Sequence, residues 1–353
     1  MDIFNIYLPI AGIQFNALLL VCIGFCVGVL GGFFGVGGAW IVTPALNIFG
    51  FPMAYAIGTD LAHIFGKSII ATKKHSRMGN VDWKLGLIAC MGSVIGVELG
   101  KQLVMALEKV GNVDTVVRWV YIILLFGLGA FMFYDFLILQ PKVKREKEKA
   151  TASGVEPTIR RVSLSHKFQK LNLPPMISLP TSGIQSISIW IIIGIFIVTG
   201  FLAGFLGVGG GFIRMPSMIY LIGCPTAVAV GTDLFEVMIS AAYGCFTYGI
   251  SGRVEIIAAL VMLMGAAIGA QIGVEAVKYI RGYGIRILFA SMIILAAISV
   301  AMKQAETIFH VPILGTLSGW FVMLAAGSVT MIIFIRMLIK RREEKMNQKL
   351  FNT

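Results

Sequence analysis

The stretch Gly35-Val36-Gly37-Gly38 lies inside an apolar run and returns 172 residues later as Gly207-Val208-Gly209-Gly210. Each copy is followed by a proline and then by Gly-Thr-Asp-Leu, at Pro44 and 58–61 in the first half and at Pro216 and 231–234 in the second. Glycine and proline both interrupt an α-helix, glycine through its conformational freedom and proline through its missing N–H. The sequence therefore predicts a duplicated helical protein with one broken helix in each half.

The composition indicates a membrane protein. The chain has 353 residues, of which 58% are hydrophobic and only 13% are charged, whereas soluble domains are about half apolar and about a quarter charged. The apolar residues form blocks of about 20, the length of a membrane-spanning helix. The net charge of +12 is concentrated in two polar segments, so it indicates membrane topology and not nucleic-acid binding. The five cysteines lie in apolar runs, without metal-ligand spacing, and are predicted to be small buried side chains.

The pattern divides the chain into an all-α polytopic membrane protein with two homologous repeats. The predicted segments are a first transmembrane repeat (1–139), a basic linker (140–186), a second transmembrane repeat (187–303), an additional C-terminal transmembrane helix (304–340) and a basic tail (341–353). Because Lys and Arg favour the cytoplasmic side, we expect the linker and the C-terminus in the cytoplasm, and the protein in the plasma (inner) membrane.

Both glycine motifs are predicted to form broken helices or re-entrant hairpins, and the charge pattern indicates this for the second motif. The basic tail returns to the cytoplasm only if 187–222 enters the membrane and comes back on the same side. Each repeat then crosses the membrane an odd number of times, so the two repeats are predicted to be inverted, as in many transporters.

The broken helices are the first candidate binding site. Irregular backbone in a membrane is tolerated only where protein buries it or where it lines a wet cavity, and the amides that start a half-helix suit an anion. The glycines predicted to contact such a substrate are Gly35, Gly37, Gly38, Gly207, Gly209 and Gly210. The alternative is that these glycines only permit close helix packing, which is the preferred interpretation of Gly92, Gly96 and Gly100.

Ionisable side chains inside the apolar runs are the second candidate site, because burying a charge in a membrane is costly. Residues predicted to contact substrate are Thr59, Asp60, Arg214, Thr232 and Asp233, and candidates for proton coupling are Asp60, Asp233, His63 and Glu236. Lys67 and Arg214 are candidate partners of the two aspartates, and Arg214 could hold an oxyanion bidentately. The alternatives are structural caps or ion pairs for the aspartates, a Lys67 that reaches the cytoplasm, and a satisfied core histidine at position 63.

The doubled motif resembles the TauE/SafE family of sulfite and organosulfonate exporters. The resemblance rests on Gly-Phe-Phe-Gly-Val-Gly-Gly at 32–38, on Gly-Phe-Leu-Gly-Val-Gly-Gly-Gly at 204–211, and on the proline and Gly-Thr-x-Leu after each, within 16–303. It implies a two-repeat membrane carrier for small sulfur-containing anions. The aspartate in Gly-Thr-Asp-Leu departs from the Ser or Asn often found there in the family, which suggests an altered or proton-linked site.

The predicted function is export of a small sulfur oxyanion, with sulfite or an organosulfonate as substrate, by alternating access. An anion channel and an uptake permease for a related oxyanion remain alternatives, as does a membrane sensor that uses the linker. The sequence shows no nucleophile–base pair, metal cluster or cofactor motif, so neither an enzyme nor a bound metal or cofactor is expected. The expected partners are the substrate and the lipid bilayer, without nucleic acid; a homo-oligomer stays open.

Overall fold

Both halves of the chain fold into helices of the same order, each led by a short β-hairpin. The computed structural model describes residues 4–34, 39–134, 137, 173–279 and 283–351. The first half contains β1 (Asn5–Leu8), β2 (Ile13–Asn16), α1 (Ala17–Phe34), α2 (Ala39–Ile48), α3 (Met53–Arg77), α4 (Trp83–Lys109) and α5 (Val113–Tyr134). The second half contains β3 (Met176–Leu179), β4 (Ile184–Ser188), α6 (Ile189–Leu206), α7 (Gly211–Ser217) with a π-helical turn (Met218–Ile222), α8 (Thr226–Ile250), α9 (Ile256–Tyr279) and α10 (Tyr283–Phe309). The last helix, α11 (Pro312–Phe351), has no counterpart among the described residues of the first half.

The helices form a multi-pass membrane protein, as the composition predicts. Within the described residues, seven helices are long and apolar enough to cross a bilayer: α4, α5, α6, α8, α9, α10 and α11. Helix α3 has 25 residues but is more polar and is not among them. On α4, the exposed side chains Leu87, Met91 and Ile95 recur every fourth residue. Such an apolar stripe is costly in water and matches a surface that faces lipid.

Glycines set the closest helix contacts, α1 against α9 and α4 against α6. A Cβ added at Gly96 would lie 2.2 Å from the carbonyl oxygen of Ile197, and one at Gly269 would lie 2.2 Å from that of Phe25. Similar close approaches involve Gly24, Gly28, Gly32, Gly92, Gly100, Gly200, Gly204, Gly265 and Gly273. Small residues let membrane helices approach until their backbones touch. The packing interpretation of Gly92, Gly96 and Gly100 is therefore confirmed.

The two halves contact each other through corresponding helices. Helices α3 and α8 pack together, as do α5 and α10, while α1 packs on α9 and α6 packs on α4. Helices α1, α3, α4 and α5 of the first half correspond to α6, α8, α9 and α10 of the second. If each helix is replaced by its counterpart, the α1–α9 contact becomes the α6–α4 contact, and the pairs α3–α8 and α5–α10 stay the same. The duplication in the sequence is thus matched by the helix contacts, while inversion of the two repeats in the membrane stays a prediction.

The two β-hairpins, which the sequence pattern did not predict, are each held by the other half. The carboxylate of Glu255, before α9, accepts hydrogen bonds from the backbone N–H groups of Ile10 (2.8 Å) and Ala11 (3.1 Å) in the β1–β2 turn. The hydroxyl of Ser182, in the β3–β4 turn, donates to the carboxylate of Asp82 at 2.6 Å, before α4. Asp82 and Glu255 occupy equivalent positions of the repeats, so the two connections correspond.

Helix α8 separates the two hairpins. The backbone N–H of Asp82 donates to the Thr232 hydroxyl at 2.9 Å, which places the β3–β4 hairpin near the start of α8. Glu255 follows the end of the same helix and holds the β1–β2 hairpin there. The hairpins therefore lie at opposite ends of α8.

Candidate functional site

The glycine motif of the second half forms the predicted break between two helices. Helix α6 ends at Leu206 and α7 begins at Gly211. Between them Gly207, Gly209 and Gly210 have φ angles of 75°, 61° and 74°, a left-handed conformation that residues with a Cβ rarely adopt. In the first half, Gly35, Gly37 and Gly38 lie outside the described residues.

The break in the second half packs against helices α2 and α3 of the first half. A Cβ added at Gly207 would lie 2.7 Å from Thr43 Oγ1 on α2 and 2.8 Å from Ile57 Cα on α3. A Cβ at Gly209 would lie 3.2 Å from the side chain of Ile64, also on α3. The break is therefore a contact between repeats, and glycine permits the close approach.

Arg214 lies four residues beyond the break, on α7, and its side chain is fully buried. Its Nη1 pairs with Glu236 and donates to the Ser240 hydroxyl at 3.3 Å, both on α8. Its Nε and Nη2 find no hydrogen-bond partner among the residues that the structure describes. These two N–H groups form the side edge of the guanidinium, which matches two oxygens of an oxyanion. One edge of Arg214 is thus anchored to α8, and the other forms no hydrogen bond with the described residues.

A second carboxylate, that of Asp233, stands beside this pair. Its side chain is buried, and its Oδ1 accepts no hydrogen bond within the described part of the chain. Arg214 and Glu236 are its charged neighbours. The sequence pattern suggested Arg214 as a partner of the aspartates, but the structure gives the direct ion pair to Glu236. The result is one buried cation facing two buried carboxylates.

The corresponding cluster of the first half is built differently. Thr43 donates to Asp60 Oδ2 at 2.9 Å, and His63 Nδ1 lies 3.5 Å from Asp60 Oδ1. Lys67, one helical turn further on, is a charged neighbour of both. Position 42, which corresponds to Arg214, is a valine. The first half therefore lacks an arginine at this position and balances Asp60 with a lysine of its own helix.

Two buried tyrosines, which were not among the predicted site residues, secure the end of α6. The hydroxyl of Tyr121 on α5 donates to the carbonyl of Leu206, and that of Tyr248 on α8 donates to the carbonyl of Gly204 at 2.7 Å. The last carbonyls of a helix have no partner within the helix. A tyrosine in an apolar run is a weak sequence signal for such a role, because its buried hydroxyl needs a partner.

The glycine and threonine of each Gly-Thr-Asp-Leu motif contact a loop of the other half. Thr59 Oγ1 accepts a hydrogen bond from the backbone N–H of Glu255 at 3.0 Å, just as Thr232 accepts one from Asp82. The preceding glycines leave room for the same loops, since a Cβ at Gly58 or at Gly231 would lie 2.2 Å from the carbonyl oxygen of Arg253 or of Asn80, respectively. Contact of Thr59 and Thr232 with substrate stays a prediction beside this structural role.

The described side chains do not form a metal site of the usual kind. Across the described ranges, no group of three or more His, Cys, Asp or Glu side chains is placed to hold a metal ion. The groups described at the break are instead two carboxylates, the hydroxyls around them and Arg214, whose N–H groups match the geometry of an oxyanion.

A helical bundle with a broken helix and buried charges at the break has the architecture of a membrane transporter. A family model described as sulfite exporter TauE/SafE matches residues 20–300. The chain belongs to this family of membrane transporters.

Two of the relatives are similar to the chain over most of their length. The chain is 28% identical to the probable membrane transporter protein YunE of Bacillus subtilis (strain 168), over 72% of this chain and 86% of the relative. It is 25% identical to the probable membrane transporter protein MJ0441 of Methanocaldococcus jannaschii, over 78% of this chain and 91% of the relative. A shorter match joins the chain to sulfite exporter TauE/SafE family protein 3 of Arabidopsis thaliana, 33% identical over 29% of this chain and 22% of the relative. No solved structure matches the chain.

Proposed function

We propose that the protein exports a small sulfur oxyanion, with sulfite as the first candidate, through the plasma membrane by alternating access. The observation that carries the proposal is the buried Arg214, whose Nε and Nη2 have no protein partner in the described part of the chain. A buried cation with two parallel N–H groups left open is complementary to an oxyanion. The description of the family, sulfite exporter, supports a sulfur anion as the substrate.

Alternation is proposed to occur between the two halves. The Gly207 end of the break touches Thr43 and Ile57 of the first half, while the Gly210 end touches Arg214 of the second. A movement of one half relative to the other would therefore displace the segment 207–210, which lies next to the proposed anion site. The glycines of the first-half motif, Gly35, Gly37 and Gly38, are proposed to complete the site from the opposite repeat.

The proposed orientation places the linker 140–186 and the C-terminus in the cytoplasm. The β3–β4 hairpin, which lies largely within the linker, is then on the cytoplasmic side, and the β1–β2 hairpin at the other end of α8 lies outside. The first half would thus begin outside and the second half inside, which supports inverted repeats. Export also agrees with the membrane potential, since moving one negative charge out of an inside-negative cell gains about 2.3 kcal/mol per 100 mV.

The experiment is flux of radiolabelled sulfite, sulfate and taurine in proteoliposomes that contain the full chain. Arg214→Lys keeps the charge and removes the planar edge, so we expect sulfite flux to fall about tenfold or more, equivalent to the loss of one charge-assisted hydrogen bond. Arg253→Lys is the matched control, because Arg253 lies in the partly exposed loop after α8 and pairs with Glu108 of α4. This variant should keep the wild-type flux. Absence of flux for every sulfur anion, in protein shown to be folded, would remove the proposed function.

A channel is the second candidate, because the same site could conduct without alternation. Counterflow separates the two mechanisms: external sulfite accelerates release of internal labelled sulfite from a carrier, but not from a channel. Loading the label inside or outside, under an imposed membrane potential, distinguishes export from uptake.

A further inference from the structure

The carboxylates around Arg214 exceed the positive charge available to them. Arg214, Asp233 and Glu236 are all buried, on α7 and α8, and form one cation against two acids. A buried charge without a partner is strongly disfavoured, and the group then binds or releases a proton. An oxyanion on the open edge of Arg214 would raise the count to three negative groups against one positive group. Anion binding at this site therefore favours protonation of one carboxylate.

The contacts select Asp233 as the group that takes the proton. Each carboxylate has one oxygen without a donor among the described residues, Glu236 Oε1 and Asp233 Oδ1. The other oxygen of Glu236 pairs directly with Arg214, whereas Asp233 forms no such ion pair with a described residue. From α4, the groups that face the pair are Cys90 and Ser93, and neither brings a positive charge.

On α3, three titratable groups form a separate cluster, and Glu98 of α4 contacts α8 elsewhere, through the hydroxyl of Tyr243. Asp60, His63 and Lys67 lie together in the α3 cluster, and Asp60 is held by Thr43. Along the same interface, Thr72 donates to the carbonyl of Leu234, the residue after Asp233, and brings no charge.

We propose that Asp233 takes up a proton when an oxyanion occupies the Nε–Nη2 edge of Arg214, so that the protein carries the anion together with a proton. This inference rests on the proposed function, because it needs an anion at Arg214. It also makes the two repeats unequal: the second half holds the anion and the proton, while Asp60, with Lys67 as a charged neighbour, has no matching excess of acid. The aspartates of the two Gly-Thr-Asp-Leu motifs then have different roles.

The test is equilibrium binding of radiolabelled sulfate and sulfite to the purified full chain, from acidic to alkaline pH. For the wild type, affinity should fall as pH rises past the point where Asp233 ionises in the empty protein, with a limiting slope of about tenfold per pH unit for one proton. Asp233→Asn should remove this slope. Sulfite also titrates by itself, but this contribution is the same in both proteins, so the difference between their slopes reports Asp233. Asp60→Asn is the matched control and should keep the wild-type slope, whatever it does to the affinity.

Direct proton uptake gives a measurement that needs no variant. Sulfate added to the weakly buffered wild-type protein at alkaline pH should be accompanied by uptake of up to one proton per anion bound. Equal slopes in the wild type and Asp233→Asn, or sulfate binding without proton uptake, would overturn the inference and leave the anion site standing. Failure of the folded wild type to bind either anion at any pH would instead overturn the proposed function, and this inference with it.

Discussion

Gly210 and Arg214 lie so close together that a Cβ on Gly210 would come within 2.9 Å of the guanidinium Nε. Gly210 also has a φ angle of 74° and accepts the first backbone hydrogen bonds of α7, from Ile213 and Arg214. The glycine therefore fixes both the start of the helix that carries the arginine and the space over the face of its guanidinium.

Gly210→Ala should reduce sulfite flux about tenfold or more, because the added methyl group displaces the guanidinium and strains the left-handed backbone at a cost of about 1 kcal/mol or more. Gly252→Ala is the control: Gly252 has a φ angle of 66°, but a Cβ there meets no atom of the described residues within 4 Å. Both variants are measured in the proteoliposome flux assay. Equal losses in the two would mean that backbone strain alone, and not the contact with Arg214, explains the effect.

Tyr248→Phe should destabilise the protein by about 1–3 kcal/mol, since it leaves the buried carbonyl of Gly204 without its donor. Chemical unfolding in detergent measures the change in the free energy of unfolding. Tyr134→Phe serves as the control, because Tyr134 lies on α5 and is 52% exposed. A stability equal to that of the wild type would show that the Tyr248 hydroxyl is not needed to hold the end of α6.

Gly96→Ala and Gly269→Ala should each destabilise the protein by about 1–3 kcal/mol, because each added Cβ would overlap a backbone carbonyl of the neighbouring helix. The two effects should be similar, since in both variants the new Cβ would lie 2.2 Å from that carbonyl oxygen. In Gly194→Ala the Cβ has no neighbour within 4 Å in the described part of the chain, so this change should be nearly neutral. Thermal unfolding of the three variants tests the ranking, and a neutral Gly96→Ala would contradict the close approach of α4 and α6.

Glu255→Ala should free the β1–β2 turn, because the Glu255 carboxylate accepts from both Ile10 and Ala11. Hydrogen exchange of these two amides should accelerate about tenfold or more, as expected for loss of charge-assisted bonds of about 1.5–3 kcal/mol. Asp82→Ala provides the comparison: it should loosen the turn around Ser182 and leave exchange at Ile10 unchanged. If amide exchange became faster at both turns in both variants, the two substitutions would loosen the whole protein, and the Glu255 and Asp82 contacts would not act separately.

The sequence allowed the duplication, the helical membrane class and the second break to be predicted, because glycine, proline and apolar length act locally. Arg214 and Asp233 could also be recognised as charges inside apolar runs, and both are buried, while their contact with a substrate stays a prediction. Their partners could not be predicted, because the pairing of Arg214 with Glu236 depends on how α7 returns against α8. The partners of Thr59 and Thr232 could not be predicted for the same reason. Their hydroxyls accept hydrogen bonds from loop residues that are 196 and 150 positions away in the chain.

The β-hairpins escaped prediction for a related reason. Each has strands of only four or five residues, and a hairpin this small is marginal by itself. What stabilises it is a carboxylate supplied by the opposite half, at Glu255 or Asp82. A signal that lies in another part of the chain cannot be recognised in the hairpin sequence itself.

The connection between Ile10 and Glu255 spans 245 residues, and this sets an order of events on the ribosome. The β1–β2 turn is synthesised first, but its anchor is made only after most of the second half has been translated. Asp82, in contrast, is already present when Ser182 emerges. The N-terminal hairpin therefore lacks its contact with Glu255 through most of synthesis, whereas the second hairpin can bind Asp82 as soon as Ser182 has been made.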